Sequence, residues 1–323
     1  MTILVTGGAG YIGSLMVKRL RAAGRRVVVL DNLSTGHRRN VPADVAFVQG
    51  DIADSAQVAQ ILREFSADAV LHFAAHSIVA ESTSDPMKYY ANNVGGSIGL
   101  LRGMRAAGVE RLVFSSTAAV YGEPQRVPID EAHPKAPINP YGATKLAVER
   151  LLEDLHAAHG LRSVSLRYFN AAGADPQGEL GERRDPPTHL LPLVLQAASG
   201  RRDSVAVFGT DYPTRDGTCV RDYIHVDDLC TAHLNALDWL EAGGGREVIN
   251  LGTGNGVTVL EIMEAVRRET GRSFKVKTAG RRPGDPATLV ASCERARQVL
   301  GWTAQRSDIA SIVRDAWNFE QRR

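Results

Sequence analysis

Apolar and polar positions fall into alternating blocks from the first residue. Thr2 to Thr6 is a short apolar run that meets a cluster of glycines; Tyr11 to Ala23 then carries Ile12, Leu15, Met16 and Leu20 at helical spacing before Gly24 stops it. This block predicts a strand, a tight turn and a helix. Val27 to Leu30 is a β-branched run closing on Asp31, and Val45 to Val48 is another; Ser55 is placed to cap a helix running to Phe65, and Ala69 to Phe73 supplies a further strand. Asp85 to Ala107 predicts one long helix, Arg111 to Ser115 a strand, Tyr141 to Ala158 a second long helix, and Ser163 to Tyr168 a strand. Strands that are apolar throughout require cover on both faces, and strands separated by helices require right-handed crossovers. The pattern therefore predicts an α/β chain with a doubly wound parallel sheet of Rossmann type.

After Asn170 proline, glycine and charge become denser through Pro192 and the alternation weakens, which marks a domain boundary. Val226 to Leu240 (helix) and Glu247 to Leu251 (strand) are of the kind that rejoins the first sheet. The expected division is a dinucleotide-binding domain over 1–168, joined by about 222–252, and a smaller α/β substrate lobe over 169–221 and 253–323. A length of 323 residues suits two domains, and 44% hydrophobic with 23% charged residues describes a chain that buries a core.

Charge and cysteine content narrow the partners. Lys plus Arg number 38 against 36 Asp plus Glu, with the basic residues scattered, so no nucleic-acid partner is expected. Cys219, Cys230 and Cys293 are too far apart for a zinc site, and no metal is expected. No segment approaches the roughly 20 apolar residues of a membrane span, and the three-residue run Ile3–Val5 is too short for a signal-peptide core. The expectation is a cytoplasmic protein with reduced thiols and no membrane partner.

Gly7 to Gly13 reads GGAGYIG, with glycines at 7, 10 and 13 and G-x-G-x-x-G from Gly8. Such a turn is weak evidence alone, but between a predicted strand and a helix it is placed to cradle a pyrophosphate at the positive end of the helix. Asp31, at the end of the second strand, is placed to accept hydrogen bonds from ribose hydroxyls and to repel a 2′-phosphate, favouring NAD over NADP. Farther on, Tyr141 and Lys145 stand four apart in YGATK, on one face of a helix. An ammonium beside a phenol, together with a positive nicotinamide ring, lowers the phenol's pKa from about 10 and makes it a general base. Thr117 follows the strand that reaches Ser115, and a hydroxyl there is placed to relay a proton between substrate and Tyr141.

The segments VTGGAGYIGS, LDNLS, GDI, HFAA, YYANN, FSSTAAVYG, PYGATKLAVE, RYFNAAG, VFGTDYPTRDGTCVRDYIHVDDL and RRPGD, in this order and over almost the whole length, resemble the extended short-chain dehydrogenase/reductase family, and within it the 4-epimerases of UDP-hexoses. The resemblance implies tightly bound NAD, contacted by Gly7, Gly10, Tyr11, Ile12 and Gly13, by Asp31 and Asn32, by Asp51 and Ile52, by Phe73, Ala74, Ala75 and Asn92, and by Ser115, Tyr141, Lys145 and Tyr168. It implies catalysis by Tyr141, Lys145 and Thr117, with the hexose oxidised at position 4, turned over and reduced on its other face, interconverting UDP-galactose and UDP-glucose. For the UDP-hexose it implies Thr117, Tyr141, Asn170, His189, Leu190, Ala206, Phe208, Arg221, Tyr223, Arg282, Asp285 and Leu289. Guanidinium groups suit diphosphate oxygens, and aromatic rings suit uracil.

Departures from the family's commonest pattern are Thr117 for serine, Ser77 for lysine, His189 for asparagine and, at the position that gates the sugar pocket, Leu289. A 4,6-dehydratase would carry an acid pair where Ala118 and Ala119 stand, which counts against dehydration. Epimerases of UDP-N-acetylhexosamines, uronates or pentoses differ only in the sugar pocket. A non-catalytic NAD sensor leaves Tyr141, Lys145 and Thr117 without a role. The helices over 85–107 and 141–158 are, by the same resemblance, expected to form a homodimer.

Overall fold

In a computed structural model, residues 1–282 and 284–323 are described, and the chain divides into two compact units. The first comprises Met1–Gly122, Lys135–Arg167 and Cys230–Ile249; the second comprises Glu123–Pro134, Tyr168–Leu229 and Asn250–Arg323.

The first unit begins with β1 (Thr2–Thr6), α1 (Tyr11–Ala22), β2 (Arg26–Asp31), β3 (Ala46–Gln49), α2 (Ser55–Glu64) and β4 (Ala69–His72). It continues through α3 (Gly96–Ala107), β5 (Arg111–Thr117), α4 (Pro140–His159) and β6 (Arg162–Tyr168). With the strand Arg246–Leu251 these form a seven-stranded parallel sheet in which β6, β5, β4, β1, β2 and β3 follow that strand in order. β1 pairs with β2 (Thr2 opposite Arg26) on one side and with β4 (Ile3 opposite Ala69) on the other. The direction of winding reverses between β1 and β4, and a doubly wound sheet binds ligands at the carboxyl ends of the strands at such a switch point. The strands are apolar because both faces are covered. Leu4, Val28, Leu30, Val70 and Phe114 pack with Leu100, Met104, Val148 and Leu152 in one buried cluster.

Two local expectations are corrected. The cap of α2 is Asp54 rather than Ser55: its carboxylate accepts from the Ala56 and Gln57 amides, and ionised aspartate suits the positive end of a helix. The segment expected as one helix over 85–107 is three pieces, a turn of α-helix at Pro86–Tyr89, a π-helical stretch at Tyr90–Gly95, and α3. The Asn93 carbonyl in the π stretch accepts from the Ser97 hydroxyl at 2.5 Å, and the Asn93 amide is engaged away from its own helix, as described below.

In the second unit short strands pair over two to five residues, Asn170–Ala172 with Tyr223–His225, Ser204–Phe208 with Lys275–Ala279, and Val220–Arg221 with both Val257–Thr258 and Thr288–Leu289. Helices Leu190–Ala198, Val259–Thr270 and Ile309–Gln321 cover them around Val194, Leu195, Ile262, Val266 and Ile312. Thr258 and Glu261 form a capping box on the second of these helices. The expected division ran over 1–168 and 222–252, whereas residues 123–134 and 222–229 group with the second unit. Ile129 exchanges backbone hydrogen bonds with Val290 and Ser292, and its carbonyl accepts from the Asn250 amide. Buried Asp228 accepts from the Gln305 and Arg306 amides and from the Ser307 hydroxyl.

Candidate active site

The glycine turn is built for close approach. Gly7 has φ +71°, and a Cβ on Gly13 would lie 2.2 Å from the Gly7 carbonyl oxygen, so α1 packs directly on the turn. At Gly10 a Cβ would meet only that oxygen, at 3.2 Å, and otherwise open space. Gly10 is the N-cap of α1, with no side-chain cap and no acid in the first turn. A 12-residue helix thus opens its positive end toward a surface kept bare of side chains, which fits a dinucleotide pyrophosphate.

Asp31 is buried at the end of β2, where Oδ2 accepts from the Ala9 amide (2.9 Å) and Oδ1 from the Leu33 amide (2.8 Å). Each oxygen keeps lone-pair capacity for a hydroxyl donor. Asn32 donates to Asp51 Oδ2 at 3.0 Å, so Asp31, Asn32, Asp51 and Ile52 are gathered at neighbouring strand ends. Phe73 continues from β4 by a hydrogen bond to Thr6, and its ring lies 4.7 Å from that of His233; the backbone of Ala74 passes beside Gly7, with Ala75 next in the loop. Asn92 donates to Asn93 Oδ1. Asn93 also accepts from the His76 amide and donates to the His76 carbonyl and the Thr144 hydroxyl, tying the loop after β4 to α4.

Tyr141 and Lys145 lie on the first two turns of α4, which Asn139 caps by accepting from the Gly142 amide and Pro140 starts. Lys145 is buried, its Nζ donating to the Ser115 carbonyl at 2.8 Å, 4.7 Å from the Phe114 ring centre and 6.0 Å from that of Tyr141. Burial pushes its ammonium down to about 7, and Glu149 opposes the shift. Thr117 caps the 3₁₀ turn after β5, its hydroxyl oxygen accepting from the Ala119 amide while its proton stays available to donate. Ser115, Thr117, Tyr141 and Lys145 are thus brought together at the carboxyl end of β5. His72, hydrogen-bonded to Thr6 and Ser97, is pushed down to about 3 by burial and by Lys145, and is neutral.

Beneath this group lies a buried polar cluster that the sequence reading passed over. Glu149 Oε1 accepts from the Ser116 hydroxyl (2.5 Å) and Arg167 Nε (2.8 Å), and its Oε2 accepts from Arg167 Nη2. Arg167 Nη1 donates to the Tyr121 hydroxyl at 2.9 Å. Burial works against the Arg167 cation, yet Glu149 and Tyr121 outweigh it and hold the guanidinium above its usual range. The available signal was Arg167 itself, a charge inside an otherwise buried strand.

Of the residues expected around the UDP-hexose, all but Thr117 and Tyr141 fall in the second unit, as does Tyr168, which is buried at the end of β6. Arg221 pairs with Asp285 and donates to the Pro286 carbonyl, and Leu289 sits opposite Arg221 in the three-stranded sheet. Arg221 is mostly buried rather than a surface charge. Asn170 pairs in register with Tyr223, whose phenol burial pushes up to about 12. Arg282 lies 3.8 Å over the Phe208 ring, so one face of that ring carries a guanidinium; Ala206 is two residues before it on the same strand face. His189 occupies the N-cap position of Leu190–Ala198 without a side-chain capping bond and is exposed, its ring paired with Glu182 at 2.9 Å. Asp222, missed in the sequence, accepts from Thr253, Gly254 and Ala291 and orders the loop behind Arg221; burial raises its carboxyl.

Among the described residues no cluster of His, Cys, Asp and Glu suited to a metal occurs, and no helix is long and apolar enough to cross a membrane. The three cysteines are free thiols.

Residues 3–252 match the model of the NAD dependent epimerase/dehydratase family. The UDP-glucose 4-epimerase of Streptomyces lividans is 55% identical over 98% of this chain and 95% of its own length. The crystal structure of UDP-glucose 4-epimerase from Brucella ovis in complex with NAD matches with a TM-score of 0.96 at 49% identity, covering 98% of this chain and 97% of that one. The Bifidobacterium longum UDP-glucose 4-epimerase in complex with NAD+ and UDP matches with a TM-score of 0.94 at 38% identity, covering 100% and 98%. With matches of this extent on a doubly wound sheet that carries the glycine turn and the Tyr141–Lys145 pair, the chain belongs to the NAD dependent epimerase/dehydratase family, among the UDP-glucose 4-epimerases.

Proposed function

We propose that the protein interconverts UDP-galactose and UDP-glucose by inverting carbon 4 of the hexose. The observation that carries this reading is the convergence of Tyr141, Lys145 and Thr117 at the end of β5, in the same unit as the bare glycine turn. NAD, when bound there, supplies the hydride acceptor and donor at carbon 4. The turn Gly7–Gly13 would hold the pyrophosphate and Asp31 the adenosine ribose, with Asp51 and Ile52 on the adenine side. Tyr141 Oη takes the proton of the 4-hydroxyl, directly or through the Thr117 hydroxyl, and returns it when the 4-keto sugar is reduced from its other face. Lys145 stabilises the phenolate while its amine is protonated. Arg221 and Arg282 neutralise the diphosphate, and Asp285 is suited to the uridine ribose. No carboxyl group stands at Ala118 or Ala119 to expel water, which supports epimerisation over dehydration.

Purified protein is expected to carry NAD and to convert UDP-galactose to UDP-glucose. Failure to convert with NAD bound refutes the reading. Running UDP-N-acetylglucosamine, UDP-glucuronate and UDP-xylose in the same assay reports on Leu289, whose side chain is smaller than tyrosine. We further propose that the protein is cytoplasmic and that it is a homodimer, the dimer being supported by Val79, Met87 and Tyr90, which are exposed apolar side chains within or beside the helical segment 79–95. Sedimentation as a monomer at micromolar concentration would remove the dimer.

A further inference from the structure

We propose that Glu149 is the positioning and charge-setting residue of the Tyr141–Lys145 couple, its carboxylate cancelling one of two buried cations so that proton transfer proceeds beside a single net positive charge. Tyr141, Lys145 and Glu149 recur every four residues on α4, so one helix face carries the base, its cation and then an acid. Glu149 does more than neighbour the lysine. Through Ser116 it holds the strand whose adjoining residues are Ser115, the acceptor of Lys145, and Thr117. Through Arg167 it is locked from β6, and Arg167 is fixed in turn by the Tyr121 hydroxyl.

The groups facing Lys145 make a simple electrostatic set. From its own helix come Tyr141 and Glu149; from β5 the Ser115 carbonyl and the Phe114 ring; from β4 His72, which is neutral. Arg167 stands behind Glu149. Removing the carboxylate leaves the lysine and guanidinium cations without their shared counter-charge, and removing the guanidinium leaves the lysine cation balanced by an acid. Structural damage alone has no reason to act with opposite signs in the two cases.

This inference rests on Tyr141 and Lys145 carrying the proton transfer, and the test is the pH–rate profile of UDP-galactose conversion in protein that retains NAD, with melting followed in parallel. At an effective dielectric constant near 20, a unit charge shifts a pKa by roughly two units at one helical turn and by roughly one at two turns. Glu149→Gln, which keeps an acceptor for Arg167, is expected to move both limbs of the profile to lower pH by about those amounts. Arg167→Gln is expected to move them to higher pH, and Glu149→Gln/Arg167→Gln to bring them back to the wild-type position. Limbs unmoved in a folded, NAD-bearing Glu149→Gln protein, or moved in the same direction by both single substitutions, overturn the inference. Where the single variants do not fold, the double variant decides, because a displaced profile in a protein of unchanged net charge also overturns it. Wild-type protein that fails to convert UDP-galactose refutes the functional reading instead, which keeps the two failures apart.

Discussion

Two glycines of one turn should fail in different ways when given a methyl group. At Gly13 the added Cβ would sit 2.2 Å from the Gly7 oxygen and 2.9 Å from its carbonyl carbon, more than 1 Å inside ordinary contact with backbone that cannot rotate away. Alanine within a helix recovers about 1 kcal/mol of propensity over glycine, whereas forcing packed backbone apart costs typically 1–3 kcal/mol and occasionally more. The clash wins, and Gly13→Ala apoprotein should melt several degrees lower, at about 2–4 °C per kcal/mol for a domain of this size. At Gly10 the Cβ meets one atom at 3.2 Å and nothing else within 4 Å, so the apoprotein should lose only about 0.5 kcal/mol from a poorer N-cap. The methyl does enter the space left for the pyrophosphate. NAD affinity should therefore fall at least about tenfold, the equivalent of 1.4 kcal/mol. The assay is the NAD content of purified protein together with the melting temperature of NAD-stripped samples. A Gly10→Ala protein that purifies with full NAD, or a Gly13→Ala apoprotein that melts with the wild type, refutes the geometric account of the turn.

Tyr141→Phe should lower turnover by roughly 10²–10⁴ while NAD content and UDP binding hold, and an active variant would remove Tyr141 as base. Lys145→Met should also stop turnover, yet stabilise the apoprotein. Burial holds the ammonium near 7 against 10.5 in the unfolded chain, so between those values the unfolded chain binds more protons and wild-type stability rises with pH. The gain from methionine should be on the order of 5 kcal/mol at pH 7 and below, less the lost bond to Ser115, and should vanish above pH 10.5; melting curves coincident with wild type at pH 7 contradict this. Arg221→Ala should raise KM for UDP-galactose about tenfold or more without changing NAD content, since a charged hydrogen bond is worth about 1.5–3 kcal/mol; an unchanged KM takes Arg221 out of the substrate site.

The residues legible in the sequence are those whose signal is local. GGAGYIG between a strand and a helix, Asp31 at a strand end and Tyr141–Lys145 on one helix face each need only a few neighbouring positions to be understood, and the structure gives each of them the secondary structure expected. Glu149 and Arg167 escaped because a charge is surface by default, and only the pairing of α4 with β6 reveals that they satisfy one another. The π stretch escaped for a related reason. Its i+5 turn is stabilised by the bonds of Asn93 to His76 and Thr144, residues 17 and 51 positions away, which no local periodicity records. In the second unit the strands are two to five residues long and find partners more than 30 residues distant, so alternation has no length over which to show itself.

The π stretch also sets how the chain tolerates changes in length. One residue fewer between Tyr90 and Gly95 restores α-helical spacing and leaves the flanking turns nearly in phase, because a π stretch is one residue inserted into an α-helix. Where the residue lost is Asn93, its bonds to His76 and Thr144 go with it, and the loop after β4 is no longer fastened to the helix that bears Tyr141. Deletion of Asn93, though it only shortens a helix, uncouples the cofactor loop from the base. The six residues act as a seat for one amide, and the identity of Asn93, more than their count, keeps the two in step.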